Sequence, residues 1–370
     1  MDYQQICKDV VYLCAYAINN DKPDPNRIKG MDLAAINDFS SAHMISAVVA
    51  FALEGAGYKT RQTSSVIAAV MKKTALFDRE WSIIRSKLQE ASIWYMPIKG
   101  AVLKDMYPKY GMREFSDYDI LFDANYAEKV KEIMEGLDFE SKHFGSSHHD
   151  CYYKNSVLNF EMHRALFGPT HEEKLYEYYQ DMKMRLIGDG YEKHFSPEDF
   201  YLYMIAHEYK HYSGGGTGLR SLLDTYVYLS KTSLNMDYVT GEAEKLGIRE
   251  FEEKNRSLSQ HLFSGETLTD ADQEMLDYIL SSGTYGTITH RVENKMRKKG
   301  WSKIRYALDR FFVPVSRKNK DYAAYAGQYP FFYKHKILLP ILPFYRTFRA
   351  MKGGRFSAEA KAIQQAKGNI

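Results

Sequence analysis

Apolar residues in the first 90 positions recur at helical spacing. Segments 10–19, 42–55 and 64–90 each carry the i, i+3, i+4 pattern, with Gly and Pro between them. The pattern then changes. Segment 91–103 reads as a strand running into a helix, with Gly100 at the junction. Segments 114–122, 148–153 and 157–164 read as strands, the last two joined by a turn at Lys154-Asn155. Segment 124–136 has a helical period, with Asp123 or Asn125 near its start and Gly136 at its end. Helical periods return from residue 172, and Ser196-Pro197 offers an N-cap followed by Pro at the first helical position. Segment 297–313 reads as one basic amphipathic helix. The order predicts an α+β fold, a small mixed β-sheet flanked by N-terminal and C-terminal helical regions. Its expected divisions are 1–90 (helical), 91–170 (the sheet core), 171–290 (helical) and 291–370 (basic and aromatic-rich).

Composition narrows the class. The 370 residues are 45% hydrophobic and 26% charged, which is ordinary for a globular chain and excludes a disordered one. The length has room for two domains, or for one with helical additions. Cys7, Cys14 and Cys151 are scattered and odd in number, which argues against a disulfide framework and fits a reducing compartment. The N-terminus lacks a basic stretch before an apolar run, so it does not read as a secretory signal. No run of 18 apolar residues predicts a spanning helix. The expected location is the cytoplasm, with peripheral membrane contact left open by the C-terminal segment.

The net charge of +3 conceals an asymmetry. Residues 291–370 hold 19 Lys/Arg against 4 Asp/Glu, while the preceding 290 residues are net acidic. A segment this basic is drawn to polyanions.

The chemistry concentrates at Asp117 and Asp119. Residues i and i+2 of a strand point to one face, so both carboxylates project together. Like charges so placed repel unless something positive lies between them. Mg²⁺ typically combines one or two protein carboxylates with substrate phosphates. Ile120, Leu121 and Phe122 then read as a strand buried on both faces, which puts the pair at a strand end. Glu161, on the 157–164 strand, offers a third acid. Upstream, Gly100 would let backbone N–H groups approach a phosphate at a helix start, and Lys99 would add a point charge. Arg113 has two readings, as a partner that neutralises Asp117 or as a phosphate ligand.

The series Lys99-Gly100-Ala-Val-Leu103, Tyr107-Pro108, Gly111-Met-Arg113, Asp117-Tyr-Asp119-Ile-Leu121 and Glu161-Met-His163 resembles the bacterial "uncharacterised nucleotidyltransferase" family of the polymerase-β-like superfamily. His207-Glu-Tyr-Lys-His211 and Arg220-Ser-Leu-Leu-Asp224 resemble that family's second half. The likeness runs over roughly residues 90 to 290. One departure is that the superfamily usually has Gly-Gly or Gly-Ser where this chain has Lys99-Gly100. The resemblance implies a nucleotidyltransferase core that uses Mg²⁺ or Mn²⁺ and moves an NMP from an NTP to an acceptor with release of pyrophosphate. Asp117 and Asp119 would hold two metal ions. Glu161 would complete the metal site or act as general base. Lys99 and Gly100 would hold the phosphates. His163, His207, His211, Arg220 and Asp224 would bind nucleotide or acceptor. The acceptor is left open among an RNA end, a protein, a sugar and a glycan precursor. The rival class is a non-catalytic nucleotide- or polyanion-binding protein that keeps the fold.

Other motifs carry less. His207 and His211 are four apart and share a helix face, but Lys210 stands where a metalloprotease helix has its Glu. They read as polar residues facing the cleft, or as partly buried, hydrogen-bonded histidines. Segment 213–218 is Gly-rich but does not follow a strand and lacks the Gly-Lys-Ser/Thr ending, so it reads as a flexible connection between helices. Segment 329–349 mixes aromatic, aliphatic and basic residues. Such a mixture suits a bilayer headgroup region, a nucleic acid, or packing on the core with its cations solvated.

Overall fold

The structure is a computed structural model that describes residues 2–142, 144–169, 173–316, 322–352 and 355–366. The boundary expected at 170–171 therefore lies outside the described residues, as do parts of the basic segment. The architecture is α+β, with helices before and after a five-stranded mixed sheet. The strands are β1 (Tyr95–Pro97), β2 (Tyr118–Phe122), β3 (Glu140–Lys142), β4 (His149–Lys154) and β5 (Leu158–His163). They lie in the order β1-β2-β5-β4-β3. Only β2 and β5 run parallel; the other pairs are antiparallel.

Alternation along the strands gives the sheet two unlike faces. Tyr95, Tyr118, Ile120, Phe122, Tyr152, Leu158, Phe160 and Met162 point one way, into a core with Phe77, Trp81, Ile84 and Leu88 of the helix Arg61–Glu90. Val130 and Met134 of the helix Ala127–Gly136 close the same core. The residues between them point the other way. Met96 and Leu121 join a second, larger core. This core unites helices from both ends of the sequence, including Tyr3–Ile18, Ser46–Gly55, Pro197–Gly214, Leu219–Lys231 and Arg249–Ser264. Ile120 and Leu121 thus lie in different cores, so the strand is buried on both faces as its sequence suggests.

Two helices read as continuous are broken. The 42–55 segment is helical only over Ser46–Gly55; Ala42 ends a separate helix, Leu33–Ala42, with Met44 at φ 52° in the break. His43 causes the break to be useful: its Nδ1 accepts the Leu219 N–H at 3.0 Å, which supplies a partner to a helix N-terminus. The 297–313 segment also divides. Gly300 ends the helix Ile288–Lys299 in the left-handed region, and the Ser302 side chain caps Lys303–Phe312. Val292, Met296, Tyr306, Ala362 and Ala366 form a small third core. Asn294 ties this part to the rest by donating to the Tyr212 carbonyl at 3.1 Å. Among the described residues no helix is long and apolar enough to cross a membrane.

His43 generates a pH test. Burial lowers its pKa to about 4, and its Nδ1 must stay unprotonated to accept from Leu219. The unfolded chain binds a proton near pH 6.5, where the folded chain does not. Stability from this site is therefore full above pH 6.5 and falls as pH drops toward 4. Urea unfolding across that window should show the loss, and His43→Gln, which does not titrate, should flatten it. An unchanged slope in the variant would contradict the assignment.

Candidate functional site

The open face of the sheet carries the polar residues. Strand register sets Asp119 opposite Glu161, Leu121 opposite His163, His149 opposite His163 and Cys151 opposite Glu161. Asp119, Glu161, His163, His149 and Cys151 therefore share one surface. Asp117 precedes β2 and lines the same cavity of about 500 Å³. The Asp119 carboxylate is almost fully buried. Its Oδ1 accepts from Lys99 Nζ at 2.6 Å and contacts His163 Nε2 at 2.8 Å. His163 Nε2 also lies 3.6 Å from Glu161 Oε2, and His149 Nε2 lies 3.7 Å from that oxygen.

The Lys99-Gly100 turn has a local explanation. Lys99 adopts φ 50°, ψ −124°, the first central position of a type II′ turn, which favours Gly. The lysine keeps a glycine-like backbone at a cost of about 1–3 kcal/mol. In return its ammonium reaches Asp119. Gly100 answers a different constraint: a Cβ there would overlap Arg113 Nη1. The helix that follows is a single turn, Gly100–Leu103, so its dipole is small. Arg113 pairs with Asp224 and not with Asp117. Its Nε donates to Asp224 Oδ1 at 2.7 Å and Nη2 to Oδ2 at 2.8 Å, while Tyr107 donates to Oδ1 at 2.7 Å. This buried pair fastens the helix Leu219–Lys231 to the sheet.

Arg220 projects from the start of that helix. Its Nη1 donates to the Glu114 carbonyl at 3.0 Å and meets Met44 Sδ, and no described carboxylate ion-pairs with it. Burial and the neighbouring Arg113 lower its pKa. A half-buried cation without a paired anion stands in the wall of the cavity. Gly216 and Gly218 serve close packing, since a Cβ there would overlap Ser282 or Thr284.

Electrostatics separate the two aspartates. Burial would raise the Asp119 pKa, but Lys99 and His163 outweigh it and hold the carboxyl well below the usual range. Asp117 receives less help, from the more distant charges of Lys99 and Arg220. It makes no hydrogen bond or ion pair with any described residue, and burial, then Asp119 and Glu161, raise it to about 6. Burial raises Glu161 too, but the His163 hydrogen bond leaves it lowered overall. Burial and the neighbouring His149 and His163 push His148 down to about 3. His207 is also pushed well down, by burial and by Lys99, and lies 3.3 Å from His211, nitrogen to nitrogen. Both rings line the cavity.

The family model of the uncharacterised nucleotidyltransferases matches residues 41–264. The chain belongs to this uncharacterised nucleotidyltransferase family. The matched span includes all five strands and every cavity residue up to Asp224. No curated protein and no solved structure matches the chain. For this nucleotidyltransferase family member, the structure brings Lys99, Gly100, Arg113, Asp117, Asp119, Glu161, His163, His207, His211, Arg220 and Asp224 around one cavity. Sequence reasoning missed His148 and His149 at its wall, because the facing of β4 depends on how the strands assemble. It also missed Lys73 on the long helix, whose charge acts on Asp117 and for which no local pattern exists.

Lys99 gives a backbone test. Lys99→Gly and Lys99→Ala both remove the ammonium, but only Gly relieves the positive φ. Lys99→Gly should be the more stable of the two by about 1 kcal/mol in urea unfolding. Equal stabilities would remove the strain argument.

Proposed function

We propose that the protein transfers an NMP from an NTP to an acceptor, with a divalent cation bound by Asp117, Asp119 and Glu161. The observation that supports this reading is the pairing of opposites across one cavity. Among the described residues Asp117 makes no hydrogen bond or ion pair, and Arg220 pairs with no carboxylate. A cation–triphosphate complex satisfies both at once.

Two of these acids form, with His163, a donor set that fits a divalent ion, and Asp117 lines the same cavity. Asp119, Glu161 and His163 offer ligand atoms that all lie within 4.8 Å of one another. His163 Nδ1 is buried without a hydrogen-bond partner. An imidazole among carboxylates moves preference from Mg²⁺ toward Mn²⁺ and later first-row ions. When bound, the cation neutralises charge developing on the transferring phosphoryl group. The rest falls to the chain's own residues. Lys99 holds Asp119 in place and, with Arg220, brings positive charge to the phosphates. Arg113 and Asp224 position Arg220 by fixing its helix. His207 and His211, with His207 held neutral by burial, offer ring surface to the base or the acceptor. An acceptor oxygen bonds to the α-phosphorus, the bond to pyrophosphate breaks, and the acceptor's proton passes to a carboxylate of the site.

Thermal unfolding with ATP, CTP, GTP or UTP, each with Mg²⁺ or Mn²⁺, tests the reading without knowledge of the acceptor. A ligand of the native state raises the melting temperature. At least one NTP should do so only when the metal is present, with Mn²⁺ no weaker than Mg²⁺. Asp117→Ala and Asp119→Ala should stay folded and lose the metal-dependent part. They should also lose any release of pyrophosphate to water. Full metal-dependent stabilisation in both variants would contradict the assignment. Metal-dependent binding with no pyrophosphate release under any acceptor condition would favour the non-catalytic reading.

A further inference from the structure

The C-terminal part carries a feature that the cavity does not explain. Twenty-one large hydrophobic side chains are exposed among the described residues, and nine of them lie between Ile304 and Phe348. Monomeric proteins rarely leave such residues gathered in the open without a use. Ile304, Leu308 and Phe312 are 74%, 51% and 51% exposed and recur every four residues on the helix Lys303–Phe312, so they share one face. Tyr306 points away from that face into the small third core. Lys303 and Arg305 adjoin Ile304 and, at 100° per residue, flank the apolar stripe. Ile337, Ile341 and Phe344 extend the exposed apolar surface, with Lys334 and Lys336 beside them in sequence. Arg310, Arg346 and Arg349 line a neighbouring cavity of about 900 Å³.

We infer that this face docks on an anionic lipid bilayer, with Ile304, Leu308, Phe312, Ile337, Ile341 and Phe344 entering the headgroup–acyl boundary and the surrounding Lys and Arg meeting lipid phosphates. Charge complementarity carries the choice of occupant. The segment 291–370 has 19 basic residues against 4 acidic ones, and Asp309 and Glu359 already pair with Lys295 and Arg310. An excess of cations around an apolar stripe is what an anionic leaflet attracts. The apolar residues distinguish lipid from RNA. Single-stranded RNA is held by stacking on aromatic rings. Here the most exposed side chains are the aliphatic Ile337, at 88%, and Ile304. These do not stack, and they gain by leaving water. The surface also lies beyond residue 264, where the family match ends. The inference does not rest on the nucleotidyl-transfer reading.

Vesicle flotation of the full-length chain tests it. Vesicles of phosphatidylcholine mixed with phosphatidylglycerol should bind the protein at low salt, and phosphatidylcholine alone should bind it far less. Binding should weaken with salt but not vanish, because insertion adds a term that salt does not screen. Ile304→Ser/Leu308→Ser/Phe312→Ser should lower the apparent affinity at least about tenfold at every salt concentration. Lys334→Glu/Lys336→Glu should lower it chiefly at low salt. These side chains are exposed, so the variants should keep the wild-type melting temperature. If the triple variant unfolds, Ile337→Ser is read in its place, with a smaller loss expected. No vesicle binding by the intact protein, or equal binding by wild type and folded apolar variant, would overturn the inference. Binding to poly(U) with a steep salt dependence and none to vesicles would overturn it in favour of RNA.

Discussion

Asp119 and Glu161 face each other across the parallel pair β2 and β5, and Asp117 lines the same cavity at the head of β2. Carboxylates brought this close in a half-dry cavity repel, and the surrounding groups are arranged around that repulsion. Lys99 accepts an unfavourable backbone conformation to reach Asp119. His163, aligned by the neighbouring strand, takes a second contact to the same oxygen. Asp117 is left over. Its raised pKa records burial and the charges of Asp119 and Glu161, which Lys99 and Arg220 offset only in part. The sheet can present these acids because its other face is mainly apolar and sealed by the long helix through Phe77, Trp81, Ile84 and Leu88, with Lys154 paired to Glu80 at its edge.

The buried Arg113–Asp224 pair connects this face to the helices. Breaking such a pair by removing one partner typically costs about 3–5 kcal/mol, because the other charge is left buried. Its geometry explains two features of the chain: glycine at 100 makes room for the guanidinium, and Tyr107 supplies the third hydrogen bond to Asp224. The pair also sets where Arg220 stands, four residues before Asp224 on one helix face. The cationic wall of the cavity thus depends on an interaction outside the sheet.

Much of the site was legible before the fold was known. The i, i+2 relation of Asp117 and Asp119, the lone acid Glu161 on a later strand and the Lys99-Gly100 turn are local signals, and local signals survive folding when the segment buries one face. Register was not legible. Nothing in the 148–153 segment says that His149 will oppose His163, because that depends on the order in which strands assemble. The partner of Arg113 lies 111 residues away, and no spacing rule reaches that far. The helix breaks at His43 and Gly300 had local cues, a histidine cap and a Gly-x-Ser sequence, which a continuous apolar period obscured. The exposed stripe at Ile304, Leu308 and Phe312 had the period of a helix face, but whether that face packs or remains open is decided by tertiary contacts.

The central claim is that the acids on the open face hold a divalent cation with a nucleotide. Anomalous diffraction from crystals of the protein grown with Mn²⁺ and a non-hydrolysable NTP analogue tests it most directly. The account predicts a manganese peak bonded to Asp119 and at least one of Asp117 and Glu161, with the analogue's phosphates within hydrogen-bond reach of Arg220. A peak elsewhere, or an analogue bound away from Arg220 with no metal at the three acids, would contradict it.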